Sequence, residues 1–227
     1  MSGTTIAIER VPCLVKTDDK VFFLCENNNG QDSSLTKLFY LNNDLVAKAV
    51  NFYELEKIFL NSMTLKGSEG NFLLYFPGEN GKFVIGDESG IIKEISFPYE
   101  PVDYDFFQGN IFVEYKEDES YRYSIIDEIG NIKEGKIEIP LYNICATNNK
   151  GYILGVNLTG DLILLDSETG KLITISKIGP LQNYKISSLI DNEQNSYLVT
   201  LISNEKKHFG YIGYDEVSML YKNTLEQ

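Results

Sequence analysis

Asp103-Tyr104-Asp105-Phe106-Phe107 is the stretch of this 227-residue chain whose residue types come closest to a reactive site. Along an extended strand side chains alternate, so Asp103 and Asp105 share one face and Tyr104 takes the other. Two carboxylates on one face could bind a metal, or act as the acid and base of glycoside hydrolysis. Either use needs further acids converging from neighbouring inner strands. The corresponding segments Cys13-Leu14-Val15, Tyr142-Asn143-Ile144 and Lys185-Ile186-Ser187 contain none. Solvated or turn-bonded aspartates are therefore the expectation. A second acidic run, Lys116-Glu117-Asp118-Glu119-Ser120, reads as a hairpin tip, with Asp127, Glu128 and Glu134 close by in sequence. Such a run is ordinarily a solvated loop. Its alternative use is a docking surface that steers a basic partner.

Little else in the chain suggests chemistry. There is one histidine, His208, and there are three cysteines, Cys13, Cys25 and Cys145, with no CxxC pair. A zinc site of the usual Cys/His type is not expected, and widely spaced cysteines in odd number suit buried thiols. No nucleophile elbow, zinc-protease helix, phosphate loop or dinucleotide fingerprint occurs, so neither a cofactor nor a metal is expected. The sequon Asn157-Leu158-Thr159 carries meaning only in a secreted protein. Tyr53, Tyr99, Tyr104, Tyr142 and Tyr184 are of a type found at interfaces and sugar sites. With no tryptophan in the chain, packing is the simpler reading for them.

The net charge is -13 and only two arginines, Arg10 and Arg122, are present. A basic footprint for nucleic acid is missing, and an anionic membrane would repel the chain. No run approaches the roughly 18 apolar residues of a membrane helix. The N-terminal MSGTTIAIERVPC lacks a basic region followed by an apolar core, which points to a cytoplasmic location.

The elements that must position these residues are short strands. Gly151 to Ser176 reads as a three-stranded meander: Tyr152 to Asn157, Leu162 to Leu165 and Lys171 to Ile175, with turns at Thr159-Gly160-Asp161 and Asp166 to Gly170. Apolar, β-branched runs between Gly/Asp/Asn turns are strand signals. The pattern recurs at Phe72 to Ile95 and at Ile111 to Ile139, begins again at Val21, and appears a fifth time from Tyr197. A turn aspartate marks the register at Asp87, Asp127 and Asp166, with looser versions at Asp44 and Asp215. Successive steps between these aspartates are 43, 40, 39 and 49 residues, within the roughly 40–50 residue repeat of propeller blades.

Gly160 to Ile173, GDLILLDSETGKLI, resembles the second hairpin of β-propeller blades of the PQQ-like or WD-like kind. The resemblance is to a repeat superfamily, and no cofactor site of any propeller family can be carried over. It implies an all-β chain, a single five-bladed β-propeller of antiparallel four-stranded blades. The blades are expected at 11–52, 55–97, 102–139, 142–178 and 184–221, with 6–10 as a strand that closes the ring. Inner strands are expected at Val102 to Phe107, Tyr142 to Ala146 and Tyr184 to Ile190. Phe52 to Leu65 is ambiguous between helix and strand; a strand preceded by a helical turn is the favoured reading. Val217 to Tyr221 is expected as the last strand. Pro98, Pro101, Pro140 and Pro180 fall between blades, where a missing N–H costs nothing.

Fold does not imply function. Charge and the lack of a catalytic constellation together suggest a non-catalytic protein-binding propeller. Its most concrete form is an acidic inhibitor or immunity-type protein that occludes a toxin or enzyme. The residues expected to meet a basic partner are Asp103, Tyr104, Asp105, Glu117, Asp118 and Glu119. Five-bladed propellers also include glycosidases, so a carbohydrate-binding or glycoside-processing protein is one alternative. A scaffold subunit of a larger assembly is another.

Overall fold

The computed structural model describes residues 13–17, 20–27, 35–52, 55–56, 65–77, 81–146, 152–177, 179–191, 196–204, 206–213 and 216–217. These form five antiparallel sheets built on meanders of strands consecutive in sequence. Blade one contains β1 (Cys13–Lys16), β2 (Val21–Asn27), β3 (Leu35–Leu41) and β4 (Ala47–Ala49), with the short β5 (Leu55–Glu56) also pairing β3. Blade two is β6 (Lys66–Ser68), β7 (Asn71–Phe76), β8 (Lys82–Asp87) and β9 (Gly90–Ser96). Blade three is β10 (Pro101–Phe107), β11 (Asn110–Glu117), β12 (Ser120–Ile126) and β13 (Ile132–Ile137). Blade four is β14 (Tyr142–Ala146), β15 (Tyr152–Val156), β16 (Leu162–Asp166) and β17 (Lys171–Thr174). Blade five has three strands among the described residues: β18 (Lys185–Asp191), β19 (Ser196–Ser203) and β20 (Lys206–Gly213). Residues Met1–Pro98 and Tyr99–Gln227 form two compact units, the first holding blades one and two, the second blades three to five.

The middle strands are apolar at successive positions because both of their faces are covered. In β16, Leu162 and Leu164 enter a core with Tyr197, Val199 and Ile212 of blade five. Their neighbours Ile163 and Leu165 enter a different core with Phe112, Tyr123 and Ile137 of blade three. Period-two alternation thus splits one run between two cores. Each such buried Leu or Ile contributes about 1.5–3 kcal/mol. In the first unit Phe22, Leu24 and Leu38 of blade one meet Phe72 and Leu74 of blade two, with Phe22 and Phe72 ring centroids 5.2 Å apart.

The register residues of the repeat cap the turn between the third and fourth strands. Asp87 Oδ1 accepts the Ser89 amide at 2.8 Å, and Asp127 Oδ1 accepts those of Ile129 and Asn131 at 3.0 and 2.8 Å. Asp166 Oδ1 accepts the Glu168 amide at 2.8 Å. A short carboxylate can hold the backbone two residues ahead in this way, which is why Asp and Asn favour turns. In blade one the cap is Asn42, whose Oδ1 accepts the amides of Asp44 and Val46, so Asp44 is a capped residue there and not the cap.

Three expectations change. The inner strand of blade two is β6, immediately after Leu65, while residues 57–64 lie outside the described residues. Pro101 opens β10 itself, a first-strand position where proline is tolerated. Val217 sits with Glu216 in a helical turn, because the Glu216 carboxylate draws back to the Gly213 amide at 2.7 Å; residues 218–221 lie outside the described residues. The expected closing strand 6–10 also lies outside them. Among the described residues no helix is long and apolar enough to cross a membrane.

Candidate functional site

Blade three contains all six residues expected to meet a partner, and it separates them into two environments. β10 and β11 pair with Asp103 opposite Glu114, Tyr104 opposite Val113 and Asp105 opposite Phe112. Asp103, Asp105 and Glu114 therefore share the face that packs on blade four. Asp103 is half-buried; its Oδ1 accepts the Tyr104 amide at 2.8 Å and its Oδ2 the Ile144 amide of β14 at 2.9 Å. Tyr104 and Asp105 are buried, at 6% and 8% exposure.

Glu114 is the residue that sequence reasoning missed. It is 1% exposed. Both of its oxygens lie within hydrogen-bond reach of the Leu141 amide, at 3.1 and 2.9 Å. Burial pushes its carboxyl up to about 8, the Leu141 amide opposes the rise, and the nearby Asp103 charge adds to it. The available signal was an acid at an inward position of the apolar run Ile111-Phe112-Val113-Glu114-Tyr115. A buried acid must find a donor, and here it is the Leu141 backbone amide at the entry to the next blade. Asp103 and Glu114 thus hold backbone amides at the start of blade four.

The second environment is the β11–β12 hairpin. Its turn residues are Asp118, at φ 54°, and Glu119, whose side chain is 97% exposed. Asp118 is also exposed. Glu117 beside them is anchored: the Tyr99 hydroxyl donates to its Oε1 at 2.5 Å and Arg122 Nε lies 2.6 Å from its Oε2. Tyr99 stacks on Tyr115 at 4.5 Å between centroids, and the Tyr115 hydroxyl donates to Glu134 at 3.2 Å. The hydrogen bond to Glu117 is the main reason that the Tyr99 phenol is pushed up to about 12. Arg122 and two tyrosines thus fix the root of the hairpin, and its tip presents two carboxylates to solvent.

Charge is concentrated in this blade. Residues 99–141 carry eleven acids against four bases, a net of -7 in a chain whose total is -13. Glu100, Asp118, Glu119, Glu128 and Glu138 are exposed. Elsewhere the candidates are in structural use. His208 packs edge-on against Tyr184 at 5.8 Å, and the Cys145 thiol donates to the Leu189 carbonyl at 3.8 Å. Asn157 of the sequon accepts from the Thr159 and Asp161 amides in its own turn. Among the described residues no three His, Cys, Asp or Glu side chains are grouped to hold a metal ion.

No family model and no curated protein matches the chain. Solved structures do. The β-propeller domain of the Trilobed protease from Pyrococcus furiosus is 14% identical with TM-score 0.56, over 86% of this chain and 65% of that one. An oligogalacturonate lyase in complex with manganese is 8% identical with TM-score 0.57, over 88% and 64%. The β-propeller domain of Myceliophteria thermophila Cps50 (Swd1) is 11% identical with TM-score 0.53, over 94% and 76%. The fold is a five-bladed β-propeller. At these identities the likeness concerns the fold alone. The chain spans just under two thirds of the length of the first two structures. The three propellers serve a protease, a lyase and Cps50 (Swd1), so the shared architecture selects no activity.

Proposed function

We propose that this propeller is a non-catalytic protein-binding module whose acidic third blade docks a basic partner, and that it neutralises a toxin or enzyme by occlusion as an inhibitor of the immunity type. The observation that carries the reading is the concentration of negative charge on residues 99–141, with Asp118 and Glu119 exposed on a hairpin fixed at Glu117. A hairpin anchored at its root needs less backbone ordering on binding and holds its exposed carboxylates near a defined position. Its charge raises the encounter rate with a basic surface, an effect that salt screens over about 10 Å at 0.1 M. The location that goes with this reading is the cytoplasm. Asp103 and Glu114 are occupied with amides of blade four, which favours binding over acid–base chemistry at those positions. Tyr104 and Asp105 then act from beneath, by holding the blade on which the tip stands.

The test is binding by wild type and by D118K/E119K across a salt series. The expected result is a partner affinity that falls with salt, and falls about tenfold or more in the variant at low salt. Binding that ignores both salt and charge reversal would refute the docking surface. Binding of a glycan in place of a protein would favour a carbohydrate-binding or glycoside-processing propeller.

A further inference from the structure

Two carboxyl groups fasten blade four to blade three, and they face each other. Glu114 and Asp103 pair directly across β11 and β10. Glu114 takes the Leu141 amide, and Asp103 Oδ2 takes the Ile144 amide three residues on. The chain that leaves blade three and enters β14 is thus seated on two acids, one buried and one half-buried.

Among the described residues, no cation balances the pair from the elements packed around it. On the same face β10 adds Asp105, β11 adds Lys116, β12 adds Tyr121 and Tyr123, and β13 adds Lys133. The connection into blade four brings Glu138, while the titratable side chains of β14, Tyr142 and Cys145, pair with Val156 and Leu154 on the face toward blade five. Lys116 is exposed and lies 3.7 Å from Glu119. Lys133 is exposed and lowers Asp166 of blade four. Of the charged groups around Glu114, Asp103 is the one that acts on its carboxyl, and it acts to raise it. Two like charges side by side in a desolvated place cannot both ionise cheaply.

We propose that Asp103 and Glu114 form a proton-held latch between blades three and four: a proton on Glu114 beside the Asp103 carboxyl keeps residues 141–144 seated, and its loss frees them. Ionised Glu114 is repelled by Asp103 and drawn toward water, and the buried Leu141 amide then loses its acceptor. The folded carboxyl titrates above its unfolded value. The latch therefore contributes fully below the ordinary glutamate range, about 4.3, and its contribution is lost as pH rises through about 8.

The test is amide hydrogen exchange at Leu141 and Ile144 in the full chain from about pH 6 to about pH 9, corrected for base-catalysed exchange, in wild type, E114Q and D103N. A loss of one proton-linked tenfold corresponds to about 1.36 kcal/mol. In wild type, protection of both amides is expected to fall by about tenfold or more. E114Q keeps an acceptor oxygen but cannot ionise, so its protection stays flat. D103N removes the like charge and moves the wild-type transition to lower pH. Should E114Q fail to fold, the D103N shift and a carbon NMR titration of the Glu114 side chain decide the matter. A flat wild-type profile, parallel profiles in all three proteins, or a Glu114 side chain titrating in the ordinary glutamate range would each overturn the latch.

Discussion

Replacing Gly135 with alanine tests how blade three is joined to blade four. Gly135 of β13 lies opposite Tyr123 of β12. The Tyr123 ring crosses over the glycine, so a Cβ at position 135 would run into its Cε1, Cζ and Oη. That path lets the Tyr123 hydroxyl donate to the Ser167 carbonyl of blade four at 2.8 Å, with the ring 4% exposed in the shared core. Placed where it fits, an alanine would stabilise the chain by about 0.4–1 kcal/mol through the unfolded state. Here the ring must tilt or β13 must move. Overpacking costs about 1–3 kcal/mol, and the lost hydrogen bond adds roughly 0.5–1.5 kcal/mol. G135A is thus expected to destabilise by about 2–4 kcal/mol, against about 1 kcal/mol for Y123F. At roughly 2–4 °C per kcal/mol for a chain of this size, Tm falls by roughly 5–15 °C. Urea and thermal unfolding of G135A, Y123A and the double variant form a cycle. The alanine should cost far less once the ring is gone, with a coupling of at least about 1 kcal/mol. G135A within about 0.5 kcal/mol of wild type would refute the steric argument.

Three further predictions rest on other parts of the molecule. The Thr159 hydroxyl bond is the largest cause holding the Asp161 carboxyl below its usual range, with burial opposing it. A depressed folded value gives stability present above about pH 4 and lost as pH falls through the folded value. T159A should therefore be less stable than wild type at neutral pH and converge with it in acid, and equal differences at both pH values would contradict this. E117Q should bring the Tyr99 phenol down from about 12 toward the ordinary tyrosine range, read by NMR of labelled tyrosine; an unchanged titration would show that Glu117 does not hold it. Because Asp118 and Glu119 stand in solvent, D118K/E119K should leave Tm within about 2 °C of wild type while removing partner binding; a large Tm loss would assign the tip a structural role.

Much of the architecture is legible in the sequence because blade strands are covered on both faces. Leu162-Ile163-Leu164-Leu165, four apolar residues between two turns, reads as a doubly buried strand, and Asp87, Asp127 and Asp166 mark turns whose geometry a short carboxylate creates. Blade one departs because Asn42 does the same work two residues before Asp44. The site was less legible. Asp103 and Asp105 were correctly placed on one face, but whether that face meets solvent or another blade depends on the register of β14, about forty residues away. Glu114 pairs with Asp103 through the uninterrupted register that runs out from the Gln108-Gly109 turn, and the bulge lies beyond them, between Asp103 and Pro101; the amides of Leu141 and Ile144 that the two acids accept come from the next blade and lie outside that hairpin. Glu117, in contrast to its exposed neighbours Asp118 and Glu119, is held by Tyr99 and Arg122, one of them outside the hairpin. A charge run alone does not distinguish anchored members from presented ones.

The most direct measurement is quantitative affinity isolation with the full chain as bait, wild type beside D118K/E119K, loaded at low salt and eluted at high salt. The account predicts one stoichiometric basic protein that wild type retains, salt releases and the variant fails to capture, and whose activity is blocked in the complex. Equal capture by wild type and variant, or a captured protein whose activity is untouched, would contradict it.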